Sequence, residues 1–301
     1  MLRTAIIVAI AAVVGTGCQT PTGPTGPHVQ DVLIAKGVPV AQTEINGVPT
    51  MCVVDTGNAS FVVSEDFGGT AWTGFGEPDV VDITSLVVAG WQFSGGAITG
   101  SDAVFSIWED ELGVEDIGCV LGNGVLGVTR FTVDYAHSRI ELADPNARVM
   151  TPEGLTGDEL VIDAIYDELL LVGSVNIADD FDGIFAFDSG AGFVTLAPET
   201  YSDLDSPPTL SEQGEIPYGT LSSMSVLDNS VTDVAFITWD DPQIPAIESV
   251  VGLRVDGTVG ASLLAGYAVT WDFPNGQMML RPYEDDVRTG VFTTLSDELG
   301  F

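Results

Sequence analysis

Short apolar runs recur along this chain, broken every few residues by Gly, Asp, Asn or Pro. Val, Ile, Phe and Thr dominate the runs, the composition of strands that lie half-buried on a pleated surface. The pattern predicts strands over Val48–Val54, Phe61–Ser64, Ser85–Phe93, Val104–Trp108 and Phe131–Tyr135 in the first half. In the second half it predicts Leu169–Val175, Gly183–Phe187, Phe193–Leu196, Ser223–Leu227, Val234–Trp239, Tyr267–Phe273 and Gln277–Arg281. Helical periodicity is scarce, and Asp256–Leu264 is the short helix expected. Strands at this spacing argue for an all-β protein. Asp144–Asp158, with two Pro and two Gly, reads as the connection between the halves.

The apolar runs repeat once. Met51–Val54 ends in Asp55-Thr56-Gly57, and Ile184–Phe187 ends in Asp188-Ser189-Gly190, 133 residues later. Gly124-Val125-Leu126-Gly127 and Gly257-Thr258-Val259-Gly260 are offset by the same 133. Val104–Glu109 resembles Ala235–Asp240 at an offset of 131. Val133-Asp134-Tyr135 with Ile140–Leu142 matches Trp271-Asp272-Phe273 with Met278–Leu280 at an offset of 138. The order is the same in both halves, which implies a duplicated unit with an insertion of about five residues near Ser262–Gly266. A repeat this long that occurs twice predicts two similar lobes facing each other.

Paired carboxylates presented alike have a chemistry of their own. Two carboxyl groups a few ångströms apart cannot both ionise cheaply, so they share a proton and hold a base and an acid together. That is what water-driven peptide hydrolysis needs when neither a metal nor a nucleophilic side chain takes part. Gly57 and Gly190 let the backbone approach the carboxylates.

The two triplets, the two glycine-ended turns and the strands ending in Asp-aromatic resemble the bilobal aspartic proteases of the pepsin and retropepsin kind, over roughly Val38–Tyr283. The resemblance implies two all-β lobes with a cleft between them, binding an extended peptide or protein substrate. Asp55 and Asp188 would be catalytic. The hydroxyls of Thr56 and Ser189 would cross-link the loops, the amides of Gly57 and Gly190 would hold the carboxylates, and the turns ending at Gly127 and Gly260 would support them. It implies no metal and no organic cofactor, and both triplets in one chain make a dimer unnecessary. Some positions depart from the pattern. Asn58 stands where Ser, Thr or Ala is usual, Thr258 replaces an apolar residue, and the first half lacks about five residues after Gly127. The hairpin flap expected over Leu86–Gly100 has no tyrosine; Trp91 with Gly95-Gly96 is either its substitute or a packed surface Trp. A silent relative that binds a peptide or protein partner in the cleft is the alternative.

Charge narrows the partners. Forty-four acidic residues stand against one lysine and seven arginines, a net charge of −36. Such a surface cannot neutralise phosphates, which excludes nucleic acid. Self-repulsion of this size is relieved by screening. An ionic habitat therefore predicts a melting temperature that rises with added salt; a flat salt dependence leaves an ordinary acidic secreted protein.

The first residues read as targeting sequence. Arg3 precedes the apolar stretch Ala5–Val14, which is too short to span a bilayer, and Gly15-Thr16-Gly17-Cys18 resembles a bacterial lipoprotein cleavage box. That reading assigns 1–17 as a signal peptide, lipidates Cys18 and anchors the chain in the bacterial envelope, with Gln19 resembling the outer-membrane default. An ordinary secretory signal is the other reading. The Pro/Gly-rich stretch 18–31 is a tether, followed by lobes over 32–150 and 151–290 and a tail over 291–301. Cys52 and Cys119 are either a core disulfide or two buried thiols.

Other motifs carry less. Gly122-Asn123-Gly124-Val125-Leu126-Gly127 spells a dinucleotide fingerprint, but a strand-like run comes after it where a helix is required. Asp179-Asp180-Phe181-Asp182 reads as a solvated acidic turn more readily than as a calcium site. His28 and His137 are the only histidines, one in the tether and one in a turn, which argues against a Ser-His-Asp triad or a histidine zinc site.

Overall fold

A computed structural model of the chain describes residues 28–71, 79–144, 154–156, 159–163, 165–166, 171–178, 181–213, 216–227, 229–240 and 244–299. The expected signal peptide, Cys18 and most of the tether lie outside the described residues, as does most of the connection 144–158. Among the described residues no helix is long and apolar enough to cross a membrane.

The described chain is predominantly β, arranged in three sheets. The first half forms a seven-stranded sheet in the order Leu33–Ala35, Val38–Ile45, Val48–Val54, Ile117–Leu121, Val62–Val63, Trp91–Thr99, Val80–Val88. It closes on itself where Glu44 and Ile45 pair with Val87 and Leu86. The second half repeats the plan in an eight-stranded sheet with Phe181–Phe187, Gly257–Val259 and Val194–Leu196 at its centre. Pairing of Asn176 and Ile177 with Ser225 and Met224 closes it. Both halves then donate strands to a third sheet, ordered His28–Asp31, Arg139–Ala143, Arg130–Asp134, Tyr267–Asp272, Gln277–Pro282, Leu160–Asp163. Central strands such as Tyr267–Asp272 are buried along their whole length, and the sheets share a main core that includes Trp271, Phe131, Phe187 and Phe236. Strand Arg130–Asp134 pairs with Tyr267–Asp272 at the centre of the third sheet, and Phe131 stacks on Trp271 with centroids 5.6 Å apart.

Cys52 and Cys119 form a disulfide between parallel neighbouring strands, with Cα atoms 4.6 Å apart. This decides between the two readings of that pair.

The structure corrects several expectations. Ser85–Phe93 is not one strand but the bend of a hairpin, Val80–Val88 with Trp91–Thr99, turned at Ala89-Gly90 with φ of 46° and 73°. Trp91 at that bend is buried, and its Nε1 donates to Leu142 O at 3.0 Å in the shared sheet. It is a core residue, not a flap: the other end of the hairpin, at Ile98, is the one that reaches Phe61 and Val62 beside the Asp55 loop.

Val104–Trp108 is helical, within Asp102–Leu112. Phe105, Trp108 and Leu112 recur on one face and pack on Val62, Ile117 and Val120, while Gly113 at φ 67° caps the end. Its likeness to Ala235–Asp240 is therefore coincidental. The strand Asn229–Thr238 corresponds instead to Trp91–Thr99, since each runs parallel to the short strand after an Asp loop. Asp256–Leu264 splits into the strand Gly257–Val259 and a single helical turn, Ala261–Leu264.

The tail is also structured. Asp285–Leu299 is a fifteen-residue helix, with Leu295 buried and Glu298 Oε2 accepting from Lys36 N at 2.9 Å. Its thread of Thr residues and its interior Gly290 weaken the helical signal in the sequence.

Candidate active site

The strand Val48–Val54 runs between two neighbours, and its chain leaves the sheet at Asp55. Asp55 N donates to Leu121 O at 3.0 Å. In the second half Asp188 N donates to Val259 O at 2.9 Å. The loops therefore sit in the same frame, which makes Leu121 the counterpart of Val259 and Gly122 the counterpart of Gly260. Asn123 N donates to Asn58 O at 2.7 Å just as Ala261 N donates to Ala191 O at 2.8 Å.

Gly127 is therefore not the partner of Gly260. It ends the turn Asn123–Leu126 with φ −64° and ψ −13°, and Ala265 has the same angles after Ala261–Leu264. The extra five residues of the second half consequently fall between Asp188 and Gly260, not near Ser262–Gly266, and the first half lacks nothing after Gly127. A Cβ on Gly122 would collide with the carbonyls of Ser60 and Asn58, and one on Gly260 with those of Phe193 and Ala191. Close backbone approach, not a special φ, is what requires glycine here.

Four hydrogen bonds lock the loops together across the halves. Thr56 N donates to Ser189 Oγ at 3.1 Å and Ser189 N to Thr56 Oγ1 at 2.9 Å. Thr56 Oγ1 donates to Phe187 O at 3.2 Å and Ser189 Oγ to Val54 O at 2.9 Å. Each hydroxyl thus accepts from one loop and donates to the strand before it, and both residues are fully buried.

The carboxyl groups of Asp55 and Asp188 lie side by side, because a single N–H, that of Gly57, reaches both. Gly57 N donates to Asp55 Oδ1 at 2.8 Å and to Asp188 Oδ1 at 3.0 Å, while Gly190 N donates to Asp188 Oδ1 at 2.7 Å. A Cβ on Gly57 would strike the Asp188 carboxyl, and one on Gly190 the Asp55 carboxyl. Burial raises both pKa values. Asp55 is pushed well above the usual carboxylate range, by burial first and then by the Asp188 charge; burial raises Asp188 against the opposing pull of the Asp55 carboxyl and of the Gly190 and Gly57 N–H groups. The pair accordingly holds one proton and one charge between its two members.

Asn58 leaves this arrangement undisturbed, because its Oδ1 accepts from Ser60 N at 3.0 Å. Sequence reasoning missed Asn123, whose Nδ2 donates to Thr56 O at 3.1 Å. Its signal was a polar residue where the other half has Ala261, visible once the glycines are correctly matched.

No protein-family model matches the chain, and a search of curated proteins finds no match. The functional argument rests on the geometry of the site.

Proposed function

We propose that the chain is a bilobal aspartic endopeptidase of the pepsin and retropepsin kind, with Asp55 and Asp188 as its dyad in a cleft between the lobes. The observation that carries this is the buried pair of carboxyls, held from both halves by matching loops and sharing the Gly57 N–H. The ionised member of the pair takes a proton from the attacking water, while the protonated member donates to the oxygen of the scissile carbonyl. The resulting tetrahedral intermediate collapses as the member that took the water proton passes it to the leaving nitrogen and the other member recovers its own from a hydroxyl of the intermediate. Thr56 and Ser189 fix the distance between the two groups. Of the three departures that favour a silent binding protein, the missing flap tyrosine stands, while Asn58 Oδ1 is engaged by Ser60 N within its own loop and the halves match after Gly122. The reading keeps the chain in the bacterial envelope, anchored through a lipid on Cys18.

A diverse peptide library incubated with the full chain from pH 3 to 7, at low and high salt, tests the reading. Cleavage at internal peptide bonds with an acidic optimum is expected. Folded protein that cuts nothing across those conditions would sink it.

A further inference from the structure

One peptide group beneath the dyad has both of its ends in use. The N–H end of the Thr56–Gly57 peptide, on Gly57, donates to Asp55 Oδ1 and Asp188 Oδ1. Its C=O end, on Thr56, accepts from Asn123 Nδ2 at 3.1 Å. The orientation of that amide is forced, since a backbone carbonyl can only accept. The amide oxygen, Asn123 Oδ1, is then buried with no partner among the described residues, although the residue is only 4% exposed. An unpaired buried acceptor is costly, and a residue kept at that cost calls for a reason.

The reason is not the fold of the turn. At the matching place in the second half stands Ala261, fully buried, whose main chain makes the same bond that Asn123 N makes. The turn accepts a methyl group and needs only the backbone contact. The Asn side chain adds one thing, a donor on the Thr56 carbonyl.

We infer that Asn123 is a positioning residue for the dyad: it orients and polarises the Thr56–Gly57 peptide so that the Gly57 N–H stays aimed at both carboxyl groups. Donation into the carbonyl end of a peptide strengthens the N–H at its other end. Ala261 offers no side-chain donor to the corresponding Ser189–Gly190 peptide, so the dyad's negative charge is supported unequally from the two halves. The catalytic consequence rests on the peptidase reading; the effect on how the carboxyls titrate does not. The titratable groups that face the dyad among the described residues are the two carboxyls and the buried Tyr135 phenol, which burial and then the Asp188 charge keep neutral.

The test compares the full chain with Asn123→Ala and Asn123→Leu, each carrying ¹³C in its Asp carboxyl groups, with Asp55→Asn and Asp188→Asn assigning the signals. Loss of the Asn123 donor weakens support of the anion, so the first ionisation of the dyad should rise by about half to one pH unit. Melting temperatures should stay within about 3 °C of wild type. If the protein cleaves peptides, the acid limb of kcat/KM should move up by the same amount and kcat should fall about tenfold, with KM little changed. An unmoved carboxyl titration in folded variants overturns the inference. Failure of both variants to fold overturns it as well, by showing that the side chain holds the turn. A protein that cuts nothing but whose titration moves upholds the inference and removes the peptidase reading. One that cuts with unmoved titration does the reverse.

Discussion

Asp188→Asn is expected to lower peptide cleavage by at least about 1,000-fold while leaving the protein folded, and Asp55→Asn should do the same. On the peptidase reading, each variant leaves one carboxyl where the reaction needs a base and an acid together. Stability should move the other way. A carboxyl whose pKa is raised in the folded state stabilises most below its unfolded pKa, and that contribution is lost as pH rises through the folded value. Both pKa values are raised, so the wild type bears the cost of the buried charge at neutral pH. The Asn variants should therefore be at least as stable as wild type at pH 7 and lose that margin by about pH 3, below both ordinary carboxylate values. Thermal melts at the two pH values, run beside the cleavage assay, decide the matter. Retained cleavage in either folded variant would remove the dyad from the mechanism.

Gly122→Ala and Gly260→Ala should each cost about 3 kcal/mol or more. In both, the new methyl lands on backbone carbonyl oxygens of the loop after an Asp, and backbone cannot step aside as a side chain can. Gly127→Ala is the control. Its backbone is ordinary helix, so the change should be the mildest of the three. Midpoints of denaturant unfolding give the ranking. A Gly127 variant as damaged as the Gly122 variant would restore the pairing of Gly127 with Gly260.

The carboxylate loops were legible because their pattern is local: an apolar strand, an Asp, a hydroxyl residue and a glycine within a few positions, written twice. The support around them was less so. Gly122, Gly124 and Gly127 lie close together, and a constant offset of 133 from the Asp triplets selected the wrong one. Only hydrogen bonds from Asp55 to Leu121 and from Asp188 to Val259 show where the extra residues of the second half enter. Val104–Trp108 failed for a different reason. A short apolar run is compatible with a buried strand and with a helix packed on one face. The face it buries and the left-handed cap at Gly113 make this one a helix. The hairpin bend at Ala89 was hidden because a non-glycine residue takes positive φ there. Asn123 was hidden because a polar residue between glycines looks like a turn, and its meaning lies in a contact with a residue 67 positions away.

The sheet shared by the two halves has a mechanical consequence. The halves are joined at its centre by a five-residue ladder from Ala268↔Asp134 to Asp272↔Arg130, with Thr132 and Thr270 hydroxyls 2.8 Å apart. A second tie, the Thr56–Ser189 hydrogen bonds, crosses between the halves at the dyad. Two such ties leave no free pivot, so the halves cannot swing apart like jaws without breaking main-chain bonds at one of them. On the peptidase reading, room for a substrate comes from bending of the outer hairpins, while the spacing of the two carboxyls stays set like a fixed gauge.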